Sequence, residues 1–133
     1  MEAKYLINFK ITFSLLLLLI VSAATGQNLK IPQNEFALSF SKEQLELSRG
    51  EKGELEILIL KSKSYKKSKA KMGVSSSLPK GVTITFDPDK GTFDSAKANI
   101  SIQADATPGQ YMLILNATLN NKTKGSILKL LIN

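Results

Sequence analysis

The sequence predicts an all-β fold, a two-layer sandwich of seven or eight short strands, and two observations support this prediction. After residue 26, apolar residues show no helical spacing and occur in short alternating or continuous runs. Turn-forming residues separate these runs at intervals of about ten residues, which is the pattern of sandwiches and small barrels. A small closed barrel produces the same signals and is the alternative fold.

The strands follow from these runs. In residues 82–86, Val82, Ile84 and Phe86 share one face, because successive side chains of a strand point to opposite sides. Residues 54–61 begin with alternation and become apolar on both faces, as a central strand does. The other predicted strands are 36–40, 45–47, 72–78, 98–102, 110–117 and 126–132. Predicted turns are 48–53, 79–81, 87–91, 107–109 and 120–125.

The first 26 residues have the pattern of a secretory signal peptide. Lys4 and Lys10 stand in a basic start, residues 11–21 are apolar, and small residues follow. Cleavage after Ala24 and cleavage after Gly26 both fit the small-residue rule. An uncleaved anchor is the alternative, but the apolar run is about half of the roughly 20 residues that a membrane span needs.

Processing would leave residues 27–133 as a single exported domain, periplasmic or extracellular, with no membrane span in its mature form. The chain has no cysteine, so this domain must be stable without disulfides. Histidine and tryptophan are also absent, which removes the commonest general base and the largest stacking side chain. We therefore expect no catalytic residue, no metal and no cofactor.

A lysine-rich segment, residues 61–71, is the candidate binding site. The formal net charge of +7 favours anionic partners, and six lysines here would make polyanion binding salt-sensitive. The sequence favours a solvated loop or edge-strand rim in which lysines prevent edge-to-edge aggregation, and polyanion binding is the alternative. With a single aromatic in the segment, nucleic acid is not expected as a partner. The candidate residues are Lys61, Lys63, Tyr65, Lys66, Lys67, Lys69 and Lys71.

The acidic residues offer weaker signals. Asp87, Asp89 and Asp94 supply three carboxylates near one turn, fewer oxygens than the six to eight that calcium takes, and Asp-Pro-Asp is ordinary turn sequence. Glu54 and Glu56 share a strand face that we expect to meet solvent, which does not fit a glycosidase cleft. A serine–lysine pair remains formally open as a nucleophile.

Three motifs carry a family resemblance. R-G-E-K-G at 49–53, L-P-K-G-V-T-I-T-F-D-P at 78–88 and T-P-G-Q-Y-M-L-I-L-N-A-T at 107–118 resemble bacterial immunoglobulin-like domains of the NPCBM-associated type, which accompany secreted glycosidases and surface proteins. The likeness spans roughly residues 45–132. It implies a single immunoglobulin-like β-sandwich with a non-catalytic accessory role. The ending from residue 108 is also similar to C-terminal secretion-sorting sandwiches.

Together these signals predict a non-catalytic exported sandwich that binds or scaffolds at the cell envelope or outside the cell. The expected partner is a protein or a polysaccharide of the envelope. The alternative is a carbohydrate-binding accessory module, in which Tyr65 and its neighbouring lysines meet an acidic glycan. An enzyme of another type ranks last.

Overall fold

The computed structural model of the chain describes residues 30–133. The predicted signal peptide and its cleavage sites lie outside these residues. Among the described residues, no helix is long and apolar enough to cross a membrane. The strands are β1 (Phe36–Phe40), β2 (Gln44–Leu47), β3 (Lys52–Lys61), β4 (Ala70–Val74), β5 (Val82–Asp87), β6 (Lys90–Gly91), β7 (Ser95–Ile102), β8 (Gly109–Leu119) and β9 (Lys122–Ile132).

The strands form two sheets, with the order β1-β3-β7-β5 in one and β2-β9-β8-β4-β6 in the other. All pairs are antiparallel except β2 with β9. The prediction of an all-β sandwich is confirmed, and the barrel alternative is wrong because both sheets keep open edges. If β1, β3, β7 and β5 are named A, B, E and D, and β4, β8 and β9 are named C, F and G, the order is that of an immunoglobulin-type sandwich.

The core lies between the two sheets. From Leu113 to the end of β8 and from Leu128 to the end of β9 every second side chain is buried, and Leu113 stands opposite Leu128. The inward residues of β3 and β7 cover them from the other sheet. The largest fully buried side chains are Phe36, Leu55, Ile57, Ile100, Ile102, Leu113, Leu115, Leu119, Leu128 and Leu130. On the face that alternation predicted for β5, Val82 is buried and Ile84 and Phe86 are half-buried against this core.

The N-terminal part of the fold passes from one sheet to the other. The Ser41 amide donates to the Glu56 carbonyl at 2.9 Å, which ends the pairing of β1 with β3. Two residues later the Glu43 carbonyl accepts from the Lys129 amide at 3.0 Å, which begins the pairing of β2 with β9. The short connection from β1 to β2 therefore closes one flank of the sandwich.

The β8–β9 hairpin is longer than predicted. Its turn consists of Asn120 and Asn121, whose φ values of +49° and +64° suit a two-residue hairpin turn. Strand β9 consequently starts at Lys122, and the predicted loop over 120–125 is wrong for four of its six residues. Polar residues at 122–125 obscured this strand, because the ammonium groups of Lys122 and Lys124 pair with Glu35 opposite the buried Leu119 and Ala117.

Other boundaries differ from prediction as well. Strand β4 runs from Ala70 to Val74 instead of over 72–78, because it pairs with the end of β8 from Ala70↔Leu119 to Val74↔Leu115. Strand β7 begins at Ser95 instead of residue 98, because its pairing with β3 continues to Leu58↔Ser95. Lys90 and Gly91, predicted as part of a turn, form the two-residue strand β6 beside β4. The described residues thus contain nine strands instead of seven or eight. The turn at 79–81 is confirmed, with the Val82 amide donating to the Pro79 carbonyl at 3.1 Å.

Tyr111 ties the start of β8 to the connection before it. Its hydroxyl donates to the Thr107 carbonyl at 2.8 Å, and its ring packs against the core. Gly109 lies between them with φ +153°, and a Cβ there would stand 3.5 Å from the Tyr111 hydroxyl. A tyrosine bonded back across this corner is typical of immunoglobulin-type sandwiches.

Removing this hydroxyl should weaken the fold. We expect Tyr111→Phe to lower the free energy of unfolding by about 1 kcal/mol, the usual net value of one hydrogen bond. Thr107→Ala is the matched control, because the acceptor is the backbone carbonyl and survives the change. Urea unfolding followed by circular dichroism measures both. Equal stability of Tyr111→Phe and the wild type would show that the corner bond contributes nothing.

Candidate functional site

The lysine-rich segment, residues 61–71, is an ordered crossing between the two sheets. Residues Lys63–Tyr65 form one 3₁₀ turn, and the Tyr65 and Ser68 amides donate to the Ser62 and Tyr65 carbonyls at 3.0 Å each. The Tyr65 side chain is buried edge-on against Phe36, with ring centroids 5.1 Å apart. The segment is therefore fastened to the core at its middle.

Burial of Tyr65 changes its predicted role. The sequence predicts Tyr65 as part of the candidate binding set, where it and its neighbouring lysines would meet an acidic glycan. In the structure the ring belongs to the core and only 8% of the residue is exposed. The physical reason is that the crossing needs one apolar anchor to hold its charged residues against the sandwich, and Tyr65 is the aromatic residue available there.

Lys61 is also buried rather than displayed. It is the last residue of β3, its side chain is 3% exposed, and its ammonium donates to the Phe93 carbonyl at 2.7 Å. Asp94, whose side chain is 85% exposed, lies 3.3 Å from the same ammonium. Lys61 thus fastens the connection between β6 and β7 to β3, and it does not join an exposed cluster.

The remaining five predicted lysines are exposed. Four of them, Lys63, Lys66, Lys67 and Lys69, lie on or beside the 3₁₀ turn, while Lys71 lies on β4. Lys71 stands opposite Lys90 of β6, which is exposed as well. We call these six exposed residues the lysine edge: Lys63, Lys66, Lys67, Lys69, Lys71 and Lys90.

In the described part of the chain, no acidic side chain lies within 4 Å of a lysine-edge ammonium. Among residues 30–133 the ion pairs within 4 Å join Lys61 to Asp94, Lys80 to Asp105, Lys97 to Glu54, and both Lys122 and Lys124 to Glu35. None includes a residue of the lysine edge. Lys71 and Lys90 are like charges directly opposite each other on paired strands, and this arrangement destabilises a sheet. No acid of residues 30–133 within 4 Å offsets their repulsion.

Sequence reasoning missed Lys90. It follows Asp89 in a stretch that was interpreted as a turn, and nothing in its local sequence marks it as a neighbour of Lys71. The two come together because the chain leaves β5 through only two residues and pairs briefly with β4. The Met72 amide donates to the Asp89 carbonyl at 2.7 Å, which fixes this register.

Two of the other candidate acids, Glu54 and Asp94, form ion pairs. Glu54 and Glu56 are exposed as predicted, and Glu54 pairs with Lys97 at 3.5 Å. In the described part of the chain no three acidic side chains converge on a metal-sized site. The Ser62 hydroxyl meets the Ser64 hydroxyl at 3.0 Å, while the neighbouring Lys61 ammonium is held by Phe93 and Asp94.

Glu35 is one of two carboxylates, with Glu51, whose pKa is lowered among the described residues. It lies just before β1, and its oxygens are 2.9 Å from the Lys124 ammonium and 3.1 Å from that of Lys122. These bonds, first to Lys124 and then to Lys122, hold the Glu35 pKa below its ordinary value. Glu35 in turn raises the pKa of Lys122. The Lys124 ammonium also lies 5.6 Å above the Phe36 ring.

A depression lies elsewhere on the described surface. It is an open groove of about 1050 Å³ between β1 and the outer face of β9. Its walls include Leu38, Phe40, Met112, Ile127 and Lys129. No residue of the lysine edge lines it, so the concave surface and the charged surface are separate.

Comparison with known proteins shows the fold alone. No family model and no curated protein matches the chain. A family 123 glycoside hydrolase of Clostridium perfringens that acts on glycolipid glycans is similar in structure, with TM-score 0.54, 12% identity, and coverage of 74% of this chain and 27% of that chain. The Vibrio cholerae VesB protease gives TM-score 0.46 and 15% identity, over 72% of this chain and 31% of its own. This chain spans less than a third of either protein.

The contact made by Lys61 can be tested by two substitutions. Lys61→Met keeps an apolar stem but leaves the Phe93 carbonyl without its donor, and we expect a loss of about 1–3 kcal/mol in unfolding free energy. Asp94→Asn, on the exposed side of the pair, should cost less than about 1 kcal/mol. Chemical denaturation compares them. A larger loss of stability for Asp94→Asn than for Lys61→Met would contradict the role of Lys61 as the donor that holds the Phe93 carbonyl.

The Glu35 ion pairs predict an acid-dependent stability. Because the folded pKa of Glu35 is lowered, its contribution is complete above the unfolded value of 4.5 and is lost as pH falls through the folded value. The stability gap between the wild type and Glu35→Gln should therefore shrink from pH 7 to pH 3. Urea midpoints at the two pH values measure this gap. At pH 7, adding 1 M NaCl should also narrow the stability gap between the wild type and Glu35→Gln. A gap that is the same at pH 7 and pH 3 would contradict the prediction.

Proposed function

We propose that this chain is a non-catalytic exported module that binds or scaffolds at the cell envelope or outside the cell, and that its lysine edge is the contact surface. The sandwich supplies a rigid frame for that surface. The ligand class is an anionic polymer, either an acidic polysaccharide or an acidic protein segment.

The opposition of Lys71 and Lys90 carries this proposal. Two ammonium groups held opposite each other on paired strands repel, and no acid of residues 30–133 lies within 4 Å of either. A bridging carboxylate, sulfate or phosphate would relieve this repulsion and gain a charge-assisted contact with each lysine. The other four lysines would extend the contact along a polymer.

The chemistry of the edge favours charge recognition over ring stacking. With Tyr65 in the core, the exposed cations of the segment act without an aromatic platform. Lysine is a compact point charge that does not impose the paired geometry of a guanidinium. Binding would then depend on the charge density of the polymer and weaken as salt increases.

An acidic polysaccharide is the candidate that we favour within this class. Repeating carboxylates or sulfates along a chain would meet several lysines of the edge at once, and each displaced counterion adds to affinity. This assigns the carbohydrate-binding role to the lysines alone. The structural likeness to a glycoside hydrolase concerns the fold and does not carry this choice.

The non-catalytic part of the proposal rests on how the reactive groups are used. Lys61 is held by the Phe93 carbonyl and Asp94, and Glu54 is paired with Lys97 on an exposed strand face. These groups stabilise the sandwich instead of converging on a cleft. Substrate turnover abolished by one point mutation would overturn this part.

Polymer binding can be tested with three probes: polygalacturonate, polyglutamate and a neutral glucan. We expect calorimetry to detect binding of the purified protein to polygalacturonate at low salt and a steep loss of affinity with added NaCl. The neutral glucan should not bind. Tighter binding of polyglutamate would favour an acidic protein partner over a polysaccharide. Absence of salt-sensitive binding to both polyanions would refute the proposal.

The site is tested by two double variants with equal charge change. Lys71→Gln with Lys90→Gln should reduce affinity about tenfold, equivalent to about 1.4 kcal/mol. The control is Lys80→Gln with Lys97→Gln, which removes two ion-paired lysines elsewhere and should leave affinity nearly unchanged. Equal losses in both variants would mean that binding follows net charge and that the lysine edge is not a site.

A further inference from the structure

Strand β5 has a single neighbour in its sheet. It pairs with β7 from Val82↔Ile102 to Asp87↔Lys97. Among residues 30–133 no strand pairs with its other side, which is the outer edge of the four-stranded sheet. This edge is six residues long, enough to accept another extended strand.

Alternation shows which backbone groups are free. The Gly81 carbonyl accepts from the Gln103 amide at 2.8 Å, so the odd-numbered residues of β5 face β7. The backbone groups of Val82, Ile84 and Phe86 therefore point to the open side. The Val82 amide is used within the preceding turn. The amides of Ile84 and Phe86 and the carbonyls of all three residues face the edge.

The edge lacks the devices that usually prevent pairing. Proteins protect edge strands with charged side chains, prolines or short length. Strand β6 has two residues, one of them Lys90, and β2 has four and carries Glu46. Strand β5 has no charge from residue 82 to residue 86, and Ile84 and Phe86 are half-buried beside its open side.

We propose that β5 is a dimerisation edge that pairs in antiparallel register with β5 of a second copy of this chain. The sequence V-T-I-T-F has the same polarity pattern in both directions, so a twofold axis at Ile84 places Ile84 opposite its own copy. Val82 then faces Phe86 of the second copy. The interface is isologous and closed, as a twofold dimer requires.

This register is favourable on both faces of the sheet. Thr83, which is exposed, stands opposite Thr85 of the second copy in a non-hydrogen-bonded pair, where side chains approach most closely. Paired threonines of this kind stabilise a sheet. At each end Asp87 faces Gly81 of the other copy, beside the exposed cation of Lys80. No like charges oppose each other along the strand.

The dimer should be weak and strengthened by salt. Pairing one short strand buries far less than the roughly 1,600 Å² of a standard interface. Only Pro88 and Asp89 separate β5 from β6, so the lysine edges of the two copies lie on the joined flanks. Their mutual repulsion is screened by added salt. The proposal of a dimer edge does not rest on the proposed function of the lysine edge.

Charge placement at Thr83 and Thr85 tests both the edge and its register. In Thr83→Lys with Thr85→Lys, each new lysine faces a lysine of the second copy. In Thr83→Lys with Thr85→Glu, each lysine faces a glutamate. Both residues are on the exposed sheet face, so the fold should persist, and circular dichroism checks this. Sedimentation velocity from 10 µM to 1 mM protein, at 0.15 M and 0.5 M NaCl, measures association at concentrations suited to a weak dimer.

We expect the wild type to form dimers, with a larger dimer fraction at the higher salt. The lysine–lysine variant should associate at least tenfold more weakly, and the lysine–glutamate variant should stay within about threefold of the wild type. A wild type that stays monomeric throughout would overturn the proposal. If the lysine–lysine variant associates as strongly as the wild type, β5 is not the dimer interface. If both variants associate equally weakly, the proposed register is wrong.

Discussion

The fold depends on hiding two aliphatic sheet faces from water without any covalent support. The chain has no cysteine, so buried residues such as Leu115 and Leu130 must offset the conformational entropy of the chain. Each fully buried side chain of this size contributes about 1.5–3 kcal/mol. The inward positions are consequently aliphatic, small or aromatic almost throughout, and reactive side chains lie on the outer faces and edges.

Two inward-facing residues of the lysine-rich segment show how the core recruits unusual side chains. Lys61 occupies an inward position at the end of β3, where its stem packs and its ammonium finds the Phe93 carbonyl and Asp94. Tyr65 places its ring on Phe36. Both residues stabilise the crossing between sheets, and this anchoring is what presents the neighbouring lysines to solvent as an ordered surface.

The two surfaces assigned to binding share one flank of the sandwich. The lysine edge borders β4 and β6, and β5 is joined to β6 by two residues. A dimer formed through β5 would bring two lysine edges together, and a polymer long enough to reach both would bind with higher avidity than either edge alone. Repulsion between the lysine edges would then oppose dimer formation, and attraction of both edges to one polyanion would favour it.

Local sequence determined the strands with clean alternation, such as 82–86, and turns such as 79–81, because side-chain period and turn chemistry are local properties. It also determined that the segment at 61–71 is strongly basic and that the structural class is all-β. Only the tertiary structure decided that Lys61 and Tyr65 are buried, that β9 starts at Lys122, and that Lys90 stands opposite Lys71. These outcomes depend on which strands pair and which ends of the sheets are covered, and contacts between residues distant in sequence leave no periodic signal in either segment.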